Sequence, residues 1–368
     1  MTPKNNNLHF HGSDLEKIAE THHLPKDEII NYSSNVNPIG ISPLLKKTLA
    51  SHIDLISTYP DRNYINLRTS IAKYCDTKIE HIIVGNGSTE LISLVIKNKK
   101  PGQALIVGPT YSEYEREISL GGGASFYYDL DEHNDFAIDV AALKKQLNET
   151  IDLLVICNPN NPTSTGIRQK DMRNILDHCK KYNIFVMIDE TYVEFADDMD
   201  DITAIPLTEF YNNLIILRGV SKFFAAPGLR LGYGICSNED LLKDINAKQN
   251  PWTINTLASL AGEVMFNDES YIQETKALIA SEREKAYTRM GQWDSVKVYY
   301  PNANFILIKL LNPNITSFMV FDYLIQQKLM VRDCSSFPFL NDRFIRFCFL
   351  NPDDNKKLID TLDPFLNP

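Results

Sequence analysis

The stretch LIILRGVSKFFAAPGLRLGY, Leu214 to Tyr233, decides how the rest of the chain is read. An apolar, strand-like run from Leu214 to Leu217 ends in a polar turn, and a second apolar run, Leu231 to Cys236, follows Gly228 and Arg230. Between them Lys222 stands beside Phe223 and Phe224. A lysine partly withdrawn from water has a lowered ammonium pKa and presents a nucleophilic amine. Arg230, eight residues on, carries a fixed charge suited to a phosphate. Taken alone, a lysine and an arginine around a turn are ordinary surface residues. Their meaning depends on what the rest of the chain brings beside them.

Outward from that stretch, apolar segments alternate with amphipathic ones. Seven candidate strands are His81–Val84, Ala104–Val107, Ala124–Tyr128, Ile151–Cys157, Ile184–Ile188, Leu214–Leu217 and Leu231–Cys236. Candidate helices include Tyr111–Ser119, Ala141–Glu149 and Gln169–Tyr182. Such alternation with short connections predicts a doubly wound α/β sheet, in which ligands collect at the carboxyl ends of the strands.

The residues with chemistry fall at those ends. The strand at Ile82 leads into Gly85-Asn-Gly-Ser-Thr-Glu90. This is not a dinucleotide fingerprint, because Glu90 occupies the place of the third glycine. It still sets glycines and hydroxyls at a helix N-terminus, where free N–H groups and the helix dipole attract an anion. A capping box, Ser88 or Thr89 before Glu90, would start an ordinary helix equally well, and both readings can hold together. Tyr111 lies just past a strand end, after Gly108-Pro109-Thr110. The turn formers Asn158-Pro-Asn-Asn-Pro162-Thr163 predict a rigid, irregular loop. Strand Ile184–Ile188 closes at Asp189, followed by Glu190, Thr191 and Tyr192. A carboxylate there needs a partner, either an internal salt bridge or the protonated nitrogen of a bound ring.

Toward the termini, Asp14 is a candidate N-cap for a short helix carrying Leu15 and Ile18, and residues 43–75 read as helical with a break at Tyr59-Pro60-Asp61. A helical stretch from about Ser237 to Ala286 is interrupted at Pro251. Beyond it, Phe305–Leu310, Leu329–Arg332 and Phe344–Leu350 read as short strands around a helix Ser317–Lys328. Arg332 and Arg346 sit in these apolar runs and need an anion, from a ligand or from a structural ion pair. The expected organisation is an arm (1–42), a large domain (43–250), a linker helix (251–285) and a small domain (286–368).

Composition narrows the classes. The chain has 368 residues and 43% hydrophobic content, enough for more than one domain, and no apolar run long enough to span a bilayer. A net charge of −10 argues against nonspecific nucleic-acid binding; an acidic protein that binds anions must concentrate its arginines locally. Six cysteines without CxxC pairing, several in apolar strands, read as reduced structural thiols. The N-terminus lacks the pattern of a signal peptide, so a cytoplasmic protein is expected.

Together the lysine segment, GNGSTE, PTY, NPNNPT and DETY resemble pyridoxal-phosphate (PLP) enzymes of the aspartate aminotransferase fold, over nearly the whole chain. Within that fold they look most like histidinol-phosphate aminotransferases and the cobalamin-pathway threonine-phosphate decarboxylases. The resemblance implies an α/β, PLP-dependent transferase-like large domain with a mixed, mostly parallel seven-stranded sheet and a small C-terminal α+β domain. It implies pyridoxal 5'-phosphate as cofactor, and no metal. Lys222 would carry the cofactor and serve as acid or base, and Asp189 would hold the ring nitrogen protonated. Gly87, Ser88, Thr89, Ser221 and Arg230 would bind the cofactor phosphate, Tyr111 would stack on the ring, and Asn161 and Tyr192 would approach its phenolic oxygen. Tyr59, with Tyr64 as second candidate, would reach the phosphate of the other subunit in a homodimer with active sites at the interface. His11, in a His-Gly segment of the arm, would join Arg332 and Arg346 at the substrate.

Two departures stand out. Gly219 replaces the usual Ser or Thr three residues before the lysine, and the family's NPTG reads Asn161-Pro-Thr-Ser-Thr-Gly166, as if Ser164-Thr165 were inserted. KFFAAPGLRLGY, Arg332-Asp-Cys-Ser335 and the His11-Gly12 arm lean toward decarboxylation of a phosphorylated amino acid resembling L-threonine O-3-phosphate. Transamination of the histidinol-phosphate type is the alternative, and a non-catalytic PLP-fold ligand-binding protein the third reading.

Overall fold

Runs of Val, Ile and Leu that are buried on both faces need helices on both sides of their sheet, and this chain supplies them. The computed structural model describes residues 14–367, so His11 lies outside the described residues. After a helix Leu15–His22 and a short strand β1 (Ile30–Asn31), seven strands form one sheet: β2 (Ile82–Gly85), β3 (Gln103–Gly108), β4 (Ala124–Asp129), β5 (Leu153–Cys157), β6 (Phe185–Asp189), β7 (Leu214–Gly219) and β8 (Gly232–Ile235). Their order is β2-β8-β7-β6-β5-β3-β4. Only β8 runs against its neighbours in this sheet; the other pairs are parallel. All seven expected strands are present.

Alternation of side chains divides the core. Leu153 and Val155 of β5 pack on one face with Leu91 and Val95 of the helix Gly87–Lys99, whereas Leu154 and Ile156 pack on the other with Ile175 and Leu176 of the helix Gln169–Lys181. Register then places the chemistry. Cys157 lies opposite Asp189, and Asp189 opposite Leu217, so the loops after β5, β6 and β7 emerge side by side.

The remaining strands are β9 (Val296–Val298), β10 (Phe305–Leu310), β11 (Leu329–Met330), β12 (Arg332–Asp333) and β13 (Phe344–Cys348). Four of them make an antiparallel sheet in the order β12-β13-β10-β9. The expected strand Leu329–Arg332 is split at buried Val331: β11 pairs in parallel with β1, and only β12 joins the sheet. This pairing, with the Cys348 N–H donating to the Tyr32 carbonyl at 2.8 Å, carries residues 33–35 to the mouth of the large sheet.

The helical segments divide more finely than the sequence suggested. Residues 43–75 form helices Pro43–Ser51 and Ile65–Tyr74 with a short 3-10 turn, Ile53–Ser57, between them. The stretch from Ser237 onward forms Glu239–Lys248, Thr256–Met265 and Glu269–Met290, the second capped by Asn255. Asp14 occupies the cap position of the first helix without a side-chain cap bond. The six cysteines are free and buried, and among the described residues no helix is long and apolar enough to cross a membrane.

Candidate active site

At the carboxyl ends of β5, β6 and β7 lies a cavity of about 310 Å³ whose walls include Lys222, Asp189, Ser88, Thr89, Tyr111, Asn161, Tyr192, Ser221, Arg230, Arg332 and Arg346. Lys222 follows β7 in a tight turn in which the Ala225 N–H donates to the lysine's own carbonyl at 3.2 Å. Phe223 and Phe224 are buried behind it. Its Nζ donates to the Ser34 carbonyl at 2.6 Å. Burial, and secondarily the charge of Arg346, bring its pKa down to about 8. The desolvated lysine expected from the sequence is there.

Asp189 and Glu190, neighbours in the chain, have opposite surroundings. The Glu190 carboxylate receives Arg218 at 2.8 Å, the Thr203 hydroxyl at 2.8 Å and the Ala204 N–H at 2.6 Å, all buried. Among the described residues the Asp189 carboxylate receives only neutral donors: the Tyr114 hydroxyl at 2.7 Å on one oxygen, and the N–H and hydroxyl of Thr191 on the other. Burial raises its pKa against the pull of these bonds. The internal salt bridge that would have accounted for Asp189 belongs to Glu190 instead, which leaves Asp189 facing the cavity without a cation.

The anion-binding end is built on the helix Gly87–Lys99. Gly87 has φ +77°, and a Cβ there would come within 2.7 Å of Arg230 Nη2. Glycine is therefore what lets the guanidinium lie across the helix N-terminus. The capping box takes a different form from the one expected. Asn86 occupies the cap position and the Glu90 carboxylate accepts from its N–H at 2.7 Å. Ser88 and Thr89 make no cap bond and line the cavity. At Gly219 an added Cβ would meet the Ser88 side chain at 3.6 Å, an ordinary contact, so the absent hydroxyl belongs to this same corner.

Asn161 Oδ1 accepts from Arg346 Nη1, and the Tyr192 hydroxyl accepts from Asn35 Nδ2 at 3.3 Å. Burial pushes the Tyr192 phenol well up. Tyr111 stands edge-on to Tyr114, with centroids 5.6 Å apart, and burial raises its pKa to about 12. In the loop after Asn161, Ser164, the residue after Thr163, has φ +61° and is fully buried. Its Oγ accepts from the Ala303 N–H at 2.8 Å and its carbonyl from the Asn302 N–H at 2.9 Å, bonds that offset a left-handed cost of about 1–2 kcal/mol. Gly166 is a packing glycine; a Cβ there would lie 2.9 Å from Ile202.

Across the cavity, Arg332 and Arg346 are directly opposite on β12 and β13. Like charges so placed repel, yet among the described residues neither arginine forms an ion pair of the kind Arg218 makes. Arg346 Nη2 donates to the Ser33 carbonyl at 2.8 Å. Its buried Nε, with Ser33 Oγ and Asn35 Oδ1, has no hydrogen-bond partner among the described residues. The arginines are concentrated locally, as the acidic composition required.

Some expected residues lie elsewhere. Tyr59 is 78% exposed and packs on Trp252 at 4.7 Å, outside the cavity. Tyr64 is buried, its hydroxyl bonded to both the carbonyl and the N–H of Ile254 at 3.1 Å, which removes it as a candidate. Trp252 is likewise not among the residues that line the cavity. Conversely, Tyr114, Thr191, Phe337 and the Ser34 carbonyl were not singled out. Tyr114 follows Tyr111 at helical spacing, a signal that only a partner for Asp189 makes meaningful.

The cavity therefore offers an uncompensated carboxylate at its floor, hydroxyls, helix amides and an arginine at one end, and a low-pKa lysine between. These fit a group with a cationic ring nitrogen and a phosphate. Comparison with known proteins agrees. The family model for aminotransferase class I and II matches residues 27–362. A protein of Caldanaerobacter subterraneus, provisionally named a threonine-phosphate decarboxylase, is 36% identical over 89% of this chain and 88% of its own. The threonine-phosphate decarboxylase of Salmonella typhimurium is 31% identical over 96% and 95% of the two chains. The crystal structure of the histidinol-phosphate aminotransferase from Clostridium acetobutylicum superimposes with a TM-score of 0.85 at 33% identity, covering 91% of this chain and 98% of that one.

Proposed function

This chain belongs to the class I and II aminotransferase family of PLP-dependent enzymes, and we propose that within it the protein decarboxylates a phosphorylated amino acid, L-threonine O-3-phosphate or a close analogue. The observation that carries this reading is the pair Arg332–Arg346, opposed across two strands, facing the cavity and, among the described residues, making no ion pair with an acid. A substrate with both a phosphate and a carboxylate would answer both charges.

Ser88, Thr89, Ser221, Arg230 and the amides beyond Gly87 would hold the cofactor phosphate. Asp189 would hold the ring nitrogen, Tyr111 the ring face, and Asn161 and Tyr192 the phenolic oxygen. Bound there, the cofactor supplies an electron sink for the bond that breaks at the substrate α-carbon. Asp189, held by Tyr114 and Thr191, stays where a positive nitrogen gains most from it. Lys222, with a pKa near 8, can give up and take back a proton at the α-carbon close to neutral pH. Arg332 and Arg346 would hold the substrate's phosphate and carboxylate, and the way they hold the carboxylate would set whether a proton or CO2 is lost at the α-carbon. The likeness to the histidinol-phosphate aminotransferase structure supports transamination as the second reading.

Exposed Leu44, Ile53, Ile56, Tyr59 and Ile65, with Trp252, form an apolar surface in keeping with a homodimer in which Tyr59 serves the other subunit's site. The division at residues 42, 250 and 285 and a cytoplasmic location belong to the same proposal. The test is to mix PLP-loaded protein with L-threonine O-phosphate and follow CO2 and the cofactor spectrum. CO2 release with the cofactor returned unchanged is the expected result. Conversion to the pyridoxamine form without CO2 would replace the decarboxylase by an aminotransferase.

A further inference from the structure

Arg332 does not hold its position unaided. It is flanked by a second arginine directly opposite, and burial, with the charge of Arg346, disfavours its own charge against the pull of Asp333 and Asp14. Two groups on the following loop face it: the Ser336 hydroxyl accepts from its Nη2 at 2.7 Å, and the Phe337 ring lies under its guanidinium at 5.3 Å. The loop has a defined shape. Asp333 Oδ1 accepts from the Ser335 N–H at 2.9 Å and from the Ser317 hydroxyl at 2.7 Å, so Asp333 acts on Arg332 by its charge and forms no ion pair with it among the described residues. The Phe337 N–H donates to the Cys334 carbonyl at 3.0 Å, and Phe339 packs edge-on against Tyr127 of β4, with centroids 5.4 Å apart. The loop is thus pinned to the small sheet at one end and to the large sheet at the other, and of its aromatics Phe337 lines the cavity.

We propose that Ser336 and Phe337 are positioning residues that hold the Arg332 guanidinium in the cavity for the substrate's phosphate, and so set the preference for phosphorylated over unphosphorylated amino acids. The inference rests on the phosphate-binding reading of Arg332. An aromatic face stabilises the cation without neutralising it, and a hydroxyl acceptor fixes one edge of the fork while leaving its other donors for a dianion. A carboxylate in either place would have consumed the charge that the substrate needs.

The experiment compares Phe337→Leu, Phe337→Tyr, Ser336→Ala and Arg332→Ala in the PLP-loaded enzyme. It measures KM and kcat for L-threonine O-phosphate, and the dissociation constants of L-threonine O-phosphate and L-threonine from the cofactor absorbance change. Phe337→Leu should raise KM for the phosphorylated substrate about fivefold to tenfold, as loss of a partly desolvated cation–π contact implies. L-Threonine affinity should move less than about twofold, and Phe337→Tyr, which keeps the ring, should restore KM. Ser336 is exposed, so Ser336→Ala tests the same idea without disturbing the core, with an expected rise of about threefold. Equal losses for the phosphorylated and plain amino acids, or an unchanged KM in both Phe337→Leu and Ser336→Ala, would overturn the positioning role. An Arg332→Ala enzyme with unchanged phosphate preference would overturn the underlying reading instead.

Discussion

Two buried charge centres sit side by side at the end of the large sheet, and they are built on opposite plans. Behind β6 and β7, Arg218 is 2% exposed and bonded through two nitrogens to Glu190, with Glu194 at 3.9 Å. Burial lifts Glu194 to about 7, against the pull of Arg218. In the cavity, Asp189 meets only hydroxyls and an N–H, while Arg346, 4% exposed, meets an amide oxygen and a carbonyl. Opposite charges in the cavity are kept apart, and those behind the sheet are joined. A charge that holds a fold together arrives with its counter-charge; one that waits for a ligand is oriented by neutral dipoles.

The sharpest test of the cavity plan is Lys222→Ala. Removing the amine at the centre should lower turnover by at least about 10²- to 10⁴-fold, the span of general acid–base catalysis, with retained fold by circular dichroism. Turnover near the wild-type rate would break the proposed chemistry. The plan behind the sheet is tested by Arg218→Met. Unpairing Glu190 should cost about 3–5 kcal/mol, visible as a lower denaturation midpoint. Arg346→Gln, which strands no acid, should leave that midpoint nearly unmoved and raise KM. If both variants destabilise equally, the contrast between the two centres is wrong.

A milder effect comes from pH. Capture of PLP by cofactor-free protein requires the neutral Lys222 amine. Because burial lowers this pKa to about 8, the capture rate should climb as pH rises through that value and level off above it. Below it the rate should fall about tenfold per pH unit; a midpoint near 10 would mean that the lysine is not desolvated. The smallest effect is at Ser164. Ser164→Ala keeps the left-handed strain and loses the bond to Ala303, a loss of about 1 kcal/mol in unfolding. Ser164→Gly relieves the strain while losing the same bond and should lie within a few tenths of wild type.

The large-sheet wall of the site was legible in the chain because each part is local. Gly87, Ser88 and Thr89 follow one strand, Asn161 another, Asp189 and Tyr192 a third and Lys222 a fourth, and alternation of apolar segments set those strands side by side. The opposite wall was read only in part. Arg332 and Arg346 were visible as charges in apolar runs, but Phe337 and Ser336 looked like any loop. The capping box was assigned to the wrong residue because Glu90 reaches back to Asn86, a choice made by the cap geometry.

By itself the sequence determined the sheet and the loops at its carboxyl ends that line the cavity, since hydrophobic periodicity and turn residues act over a few positions. Tertiary structure alone decided which charges were paired. Asp189 and Glu190 are adjacent and chemically alike, yet alternation along the strand sends one toward Tyr114 and the cavity and the other toward Arg218. Likewise, Arg332 faces Arg346 only because β12 pairs with β13 in one register. Those outcomes depend on contacts between segments far apart in the chain, whose energies no local pattern encodes.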